Sequence, residues 1–250
     1  MGAAPVHLAG ERLMLDPAGV LHWPARRLLC VADLHLEKGS SFAARGRLLP
    51  PYDTRETLAR LLPLLRRYRP ERVVFLGDSF HDDDGAARLP AAERGALAQA
   101  LAGVEAVWVA GNHDPSPPSC LPGLAMEELA EGPLVFRHVP QARAAGEVAG
   151  HLHPKAMAPT RAGGVVRPCF VADGRRLVLP AFGAFTGGLD VADPAVASLF
   201  PRGARVFLLG AERLFSFPMA ARRAGAAVQV TKEGGGSKGE FPPPWPSITR

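Results

Sequence analysis

The stretch 28–35, LLCVADLH, runs an apolar segment straight into Asp33 and His35. Three further stretches are built the same way. RVVFLGD (72–78) ends at Asp78, VWVAGNHD (107–114) carries Asn112, His113 and Asp114, and EVAGHLH (147–153) ends at His151 and His153. A further histidine, His138, closes the run LVFRH. A short apolar run bounded by Gly and polar residues reads as a buried strand. In open α/β sheets ligands collect at the carboxyl ends of strands, so strand ends finishing in Asp, His or Asn point to one shared crevice able to hold metal.

Working outward, residues 6–23 alternate polar and apolar groups around Asp16-Pro17-Ala18-Gly19, the pattern of a hairpin with a Pro/Gly turn. A strand over 27–32 is followed by a long polar loop, 37–52. Asp53-Thr54 is expected to cap a helix carrying Leu58, Leu61, Leu62 and Leu65 at helical spacing, with Pro63 kinking or bounding it. A second helix is expected around 91–102, from Pro90 to just before Gly103. Beyond residue 123 the pattern turns to short β-like runs, near 124–128, 133–139, 147–150, 165–172, 175–180 and 204–216. Alternating β and α in the first half and mostly β in the second suit two packed sheets with helices outside, one domain over 1–230. The Gly-, Pro- and Ser-rich stretch 231–250 cannot support a core and reads as a disordered tail.

Bulk properties narrow the class. Of 250 residues, 47% are hydrophobic and 21% charged, ordinary for a globular protein. No apolar stretch approaches the roughly 20 residues of a membrane span, so no membrane partner is expected. The N-terminus lacks a secretory pattern, and Val6 argues against myristoylation. Three scattered cysteines, Cys30, Cys120 and Cys169, argue against a disulfide framework and for a reducing, cytoplasmic setting. A net charge of +5 suits a soluble protein or one with a polyanionic partner.

The chemistry lies in the strand ends. Asp33 and His35 are two residues apart, which on a strand sends both side chains to one face. Gly77-Asp78 alone marks a turn. Asn112 beside a buried strand needs a partner for its amide oxygen, and a metal is one; a turn is the other reading. His151 and His153 again share a face of an extended segment, and coordination would hold both neutral. The ordered set Asp-x-His, Gly-Asp, Gly-Asn-His-Asp, His and Gly-His-x-His resembles the calcineurin-like metallophosphoesterase superfamily across 33–153.

That resemblance implies a four-layer α/β/β/α sandwich of two mixed sheets and a pair of divalent cations. Asp33, His35 and His153 would hold one cation, Asn112, His138 and His151 the other, and Asp78 would bridge them. His113 would stabilise or protonate the leaving oxygen, and Asp114 would fix its tautomer, unless Asp114 only caps its turn. One departure stands out. Where many members carry a second Asp after Gly-Asp-x-x, this chain has His81, followed by Asp82, Asp83 and Asp84 as a solvated loop.

DLHLEKGSSFAARG, LPPYDT, GDSFHD, GHLHP, RPCF and LPAFGAFTGGLD together resemble one branch, the bacterial ligase-associated DNA-damage-response endonucleases. The branch implies a manganese-dependent nuclease, iron or zinc being the other metals such ligands suit. It also implies single-stranded or damaged DNA as substrate, and a ligase and a helicase as partners. Lys38, Arg45 and Arg47 follow the first ligand pair and are the candidate phosphate contacts, a solvated loop being the plainer reading. Phe42 either stacks on a base or anchors the loop. The competing activity is a phosphatase or phosphodiesterase for small nucleotides or phosphoproteins.

Overall fold

The computed structural model describes residues 2–221 apart from 117, 119, 161 and 162. The tail expected over 231–250 lies outside the described residues, as do 222–230. Three antiparallel strands open the chain, β1 (Ala4–Leu8), β2 (Glu11–Leu15) and β3 (Leu21–Trp23), and β4 (Leu28–Val31) follows. Next come α1 (Lys38–Ala44), α2 (Asp53–Tyr68), β5 (Arg72–Leu76), α3 (Gly85–Arg88), α4 (Ala91–Ala100), β6 (Glu105–Val109) and β7 (Leu124–Met126). These strands form one sheet in the order β1 to β7, antiparallel as far as β4 and parallel from there.

The second half supplies β8 (Glu128–Glu131), β9 (Leu134–Arg137), β10 (Glu147–Ala149), β11 (Lys155–Thr160), β12 (Gly163–Ala172), β13 (Arg176–Val178), α5 (Pro194–Ala197), β14 (Ala204–Leu209) and β15 (Leu214–Met219). Its sheet runs β15-β14-β12-β13-β10-β9-β8, with β11 paired to β12. It too is mixed, β10 lying parallel to both β9 and β13.

Strand alternation explains the layering. In the first sheet Leu28, Cys30, Val74, Leu76, Val107 and Val109 face Phe136, Val148, Phe170 and Leu177 of the second, making the inter-sheet core. Their neighbours Leu29, Val31, Val73, Phe75, Ala106 and Trp108 point the other way, onto Leu58, Leu61 and Leu65 of α2 and Leu97 of α4. Strands buried on both faces must read as continuous apolar runs, which is why LLCV and VVFL show no polar alternation. Each such leucine, fully buried, contributes roughly 1.5–3 kcal/mol. The outer face of the second sheet is covered more thinly, by Val196 and Phe200 in and after α5.

Several local expectations were displaced by tertiary contacts. The polar stretch 37–52 is not all loop, because α1 occupies its first half. Asp53 and Thr54 do not cap α2, which starts at Asp53 after Tyr52. They serve the preceding helix instead, Asp53 Oδ2 accepting from the Gly39 amide at 3.1 Å and Thr54 Oγ1 from the Glu37 amide at 2.8 Å. Pro63 neither ends nor bounds α2, which runs through it with Leu61, Leu64 and Leu65 buried on either side. Strand β11 has no signal of its own and exists through its pairing with β12. The three cysteines are free, Cys30 and Cys169 being buried. No helix among the described residues is long and apolar enough to cross a membrane.

One buried ion pair joins two strands of the second sheet. Glu147 on β10 and Arg176 opposite it on β13 are almost fully buried and hydrogen-bonded to each other. Arg176 also donates to the carbonyls of Leu199 and Gln141, while Glu147 accepts from the Gln141 amide. Removing one member strands the other charge in the interior, so Glu147→Ala is expected to cost about 3–5 kcal/mol. Urea unfolding of the metal-free protein measures this, and a loss under about 1 kcal/mol would show the pair to be dispensable.

Candidate metal centre

β4, β5 and β6 are adjacent and parallel, as are β9 and β10, and the residues just past their carboxyl ends meet. Asp33, His35 and His153 bring three ligand atoms within 4.8 Å of one another, and Asp78, His138 and His151 do the same. Asp33 is fully buried, with its carboxylate accepting from the His151 amide at 3.0 Å and lying 3.2 Å from His153 Nε2. Asn112 Oδ1 lies 2.9 Å from His138 Nε2, so the second group has a fourth donor. Asp78 stands between the groups, its Oδ2 3.7 Å from His35 Nε2 and its Oδ1 3.3 Å from His138 Nε2.

The backbone differs from the sequence expectation. Asp33 and His35 are not on a strand, since β4 ends at Val31, and both have positive φ, 54° and 44°. His151 and His153 likewise lie beyond β10 with φ of 70° and 45°, and they turn to different groups rather than sharing a face. Asp78 is a further left-handed residue, at 45°. Non-glycine residues held in this region cost of order 1 kcal/mol or more each and cluster where function demands it. Cross-links hold them here: the Asp33 amide donates to the Gly77 carbonyl, His35 to Asp78, Leu36 to Ser79 and Gly150 to His138. Gly77 is needed at its place, because a Cβ there would enter the His138 ring.

The donor set fits divalent metal. His138 Nδ1 lies 3.1 Å from the Leu76 carbonyl, which can only accept, so Nδ1 carries a proton and Nε2 is the nitrogen turned to the cluster. Burial pushes the His35 imidazole down to about 2, against the pull of Asp78 and with repulsion from His153, His113 and His81. Burial and the neighbouring His138 likewise lower His151. Burial raises the Asp78 carboxyl, but its hydrogen bond and charge interaction with His138 outweigh that and leave it depressed. Burial lowers His138, but its hydrogen bond to Asp78 and the charges of Asp33 and Asp78 outweigh that and raise it, so a cation bound there would displace a proton.

His113 stands at the mouth with 41% of its side chain exposed, its Nε2 4.0 Å from Asp78 Oδ2. Its Nδ1 donates to the His81 carbonyl at 2.9 Å, so the His81 backbone sets the tautomer. The expectation that Asp114 does so is therefore corrected. Buried Asp114 turns its Oδ2 to the Phe80 amide at 3.0 Å and holds the loop after Asp78. Burial raises this carboxyl to about 7, the Phe80 and Ser79 amides opposing and the Asp78 charge adding to the rise.

In the sequence His81 is only a departure from the family pattern, yet its ring stacks on His113 at 5.2 Å and meets His35 edge-on at 5.5 Å. His35, His81 and His113 form a third convergent group. The available signal was its slot after Gly-Asp, where a carboxylate would otherwise stand. Burial lowers His81 to about 4, helped by the charge of Lys38.

Of the candidate phosphate contacts, Lys38 is half-buried and donates to the Phe185 carbonyl at 2.8 Å. Arg45 is exposed and pairs with Asp82 at 3.5 Å, and Arg47 is exposed beyond the end of α1. Asp82 also pairs with Arg88 and is only partly exposed, so of the acidic run only Asp83 and Asp84 are solvated. Phe42 is partly buried against the His81 ring at 5.6 Å.

Residues 26–158, which contain this whole constellation, match the family profile of the calcineurin-like phosphoesterases. The chain belongs to that family. Its members depend on paired metal ions, and the two mixed sheets with flanking helices are the phosphoesterase sandwich. Among solved structures the chain is similar to Pseudomonas putida nuclease MPE, at 30% identity and a TM-score of 0.67 over 86% of this chain and 100% of that one. No curated protein matches it.

Proposed function

We propose that this phosphoesterase is a nuclease that hydrolyses phosphodiester bonds in single-stranded or damaged DNA with two divalent ions, manganese being the expected metal. The observation that carries the reading is Asp78 set between two ligand groups, with His113 beside it at the mouth. The likeness to a nuclease of similar extent supports the choice of substrate class. Asp33, His35 and His153 would hold one ion, and Asn112, His138 and His151 the other, with Asp78 shared. When bound, the ions supply an acidified water and neutralise charge on the phosphate oxygens.

The chain's own groups do the rest. His113 acts from its imidazolium form: Nδ1–H stays bonded to the His81 carbonyl, and the second proton, on Nε2, passes to the leaving oxygen to leave the neutral ring. Asp114 keeps the Ser79–Phe80 turn in place and so positions His81 and His113. Lys38, with Arg45 and Arg47 further out, gives the backbone of a bound strand cationic neighbours. Three free cysteines support a reducing, cytoplasmic setting. A place in repair beside a DNA ligase and a helicase is part of the proposal, and genes for both should neighbour this one.

Purified protein with manganese is expected to cut a single-stranded oligonucleotide, and EDTA to abolish the cutting. Raising salt from 50 to 200 mM should weaken binding by tenfold or more, on the order expected for a few neutralised phosphates. Hydrolysis of bis(p-nitrophenyl) phosphate or a phosphomonoester with no cleavage of the oligonucleotide would replace the nuclease by a small-substrate phosphodiesterase or phosphatase.

A further inference from the structure

The loop that follows β13 carries Phe185, an aromatic residue in an unusual position. Its φ is 58°, a region bulky side chains rarely adopt, and its residue surface is 40% exposed. The loop lies against the metal centre at both ends. The Gly183 amide donates to the Asp33 carbonyl at 3.0 Å, and Gly188 packs so tightly on the His153 carbonyl that no Cβ would fit. Asp33 and His153 belong to the same ligand group. Phe185 is two residues on from Gly183, so the chain places it within roughly 7 Å of Gly183 and within roughly 11 Å of the Asp33 backbone.

Two lysines hold this loop. Lys38 Nζ donates to the Phe185 carbonyl at 2.8 Å and Lys155 Nζ to the Thr186 carbonyl at 3.2 Å. The Ala184 amide, on the other side of Phe185, is held by Thr57 Oγ1 at 2.9 Å. The backbone is thus fixed before and after a partly exposed aromatic residue, with two ammonium groups bonded to its own and the next carbonyl. An apolar anchor would be expected to bury its ring. Here the bonds that tie residues 184–186 to Thr57, Lys38 and Lys155 are made by the loop backbone, and two-fifths of the Phe185 surface stays open.

We propose that Phe185 is a base-stacking platform for the nucleotide next to the scissile phosphate, with Lys38 and Lys155 drawing in the adjacent backbone phosphates. The platform rests on the nuclease reading above and specifies how that site takes single-stranded nucleic acid. A base offers its π-face whatever its identity, so the contact favours single strands with little sequence preference. A duplex, whose bases are already stacked, cannot use it.

The test compares kcat/KM of the manganese-loaded full chain on a d(T)12 oligonucleotide and on the same backbone with tetrahydrofuran abasic residues. Wild type should prefer the oligonucleotide with bases by at least about fivefold, the range for one stacked base. Phe185→Ala and Phe185→Leu should both bring that ratio close to one, and Phe185→Trp should restore it. Thermal unfolding and bound-metal content report whether each variant stays folded. If Phe185→Leu keeps the wild-type ratio, the ring is only an apolar anchor and the platform is overturned. If wild type cuts DNA with no preference for bases, the platform fails while the nuclease reading stands. If wild type cuts neither oligonucleotide, the nuclease reading itself fails and takes the platform with it.

Discussion

Asp78→Ala is expected to lower phosphodiester hydrolysis by on the order of a thousandfold or more, since both ions lose a ligand together. The reason lies in the two distances of Asp78, with Oδ2 directed to His35 of one group and Oδ1 to His138 of the other. Each of the other ligands belongs to only one of the two groups. Asp78 Oδ1 also accepts from the His113 amide at 2.9 Å, so truncation releases the loop that carries His113. Asp78→Asn separates these effects, because the amide oxygen can still accept that bond while the negative charge is gone. Both variants should bind fewer than two metal equivalents by elemental analysis. Full metal content with wild-type turnover in Asp78→Asn would show that the carboxylate does not join the two sites.

His113→Ala is expected to slow DNA cleavage by about 10²–10⁴-fold, the usual worth of a positioned general acid. Metal content should stay near that of wild type, because His113 is outside both assigned ligand groups, with its Nε2 4.0 Å from Asp78 Oδ2 and its ring edge-on to His35. The leaving group supplies a second readout. A sugar alkoxide must be protonated as it departs, whereas p-nitrophenolate is a stable anion and needs little help. The variant should therefore lose much more activity on DNA than on bis(p-nitrophenyl) phosphate. An equal loss on both substrates, or loss of bound metal, would place His113 among the ligands instead.

How much of this was legible in the chain varies with the range of the interactions. The apolar runs into Asp33, Asp78 and Asn112 announce parallel strands because burial on both faces leaves no room for polar alternation. Helix α4 was legible between Pro90 and Gly103 for equally local reasons. Helix α1 was not, since its amide groups are satisfied by Asp53 and Thr54 from further along the chain. Asp114 shows the same limit within the site. Its adjacency to His113 suggested a bonded pair, but the fold gives His113 the His81 carbonyl and gives Asp114 the Phe80 amide.

The identities and order of the ligand residues, and the strands that present them, follow from the amino-acid sequence alone, because residue chemistry and strand periodicity are local properties. The family resemblance already divided the imidazoles between two groups, but the backbone geometry that brings each to its carboxylate was decided only by the tertiary structure. His151 and His153 are two residues apart, yet left-handed turns held by hydrogen bonds to distant loops send them to opposite sides of Asp78. Likewise the segment that carries Phe185 lies beside the ligands only because a loop after β13 is bonded to the backbone of Asp33 and packed on that of His153. Contacts between segments more than a hundred residues apart depend on how two sheets pack, and no window of sequence contains that information.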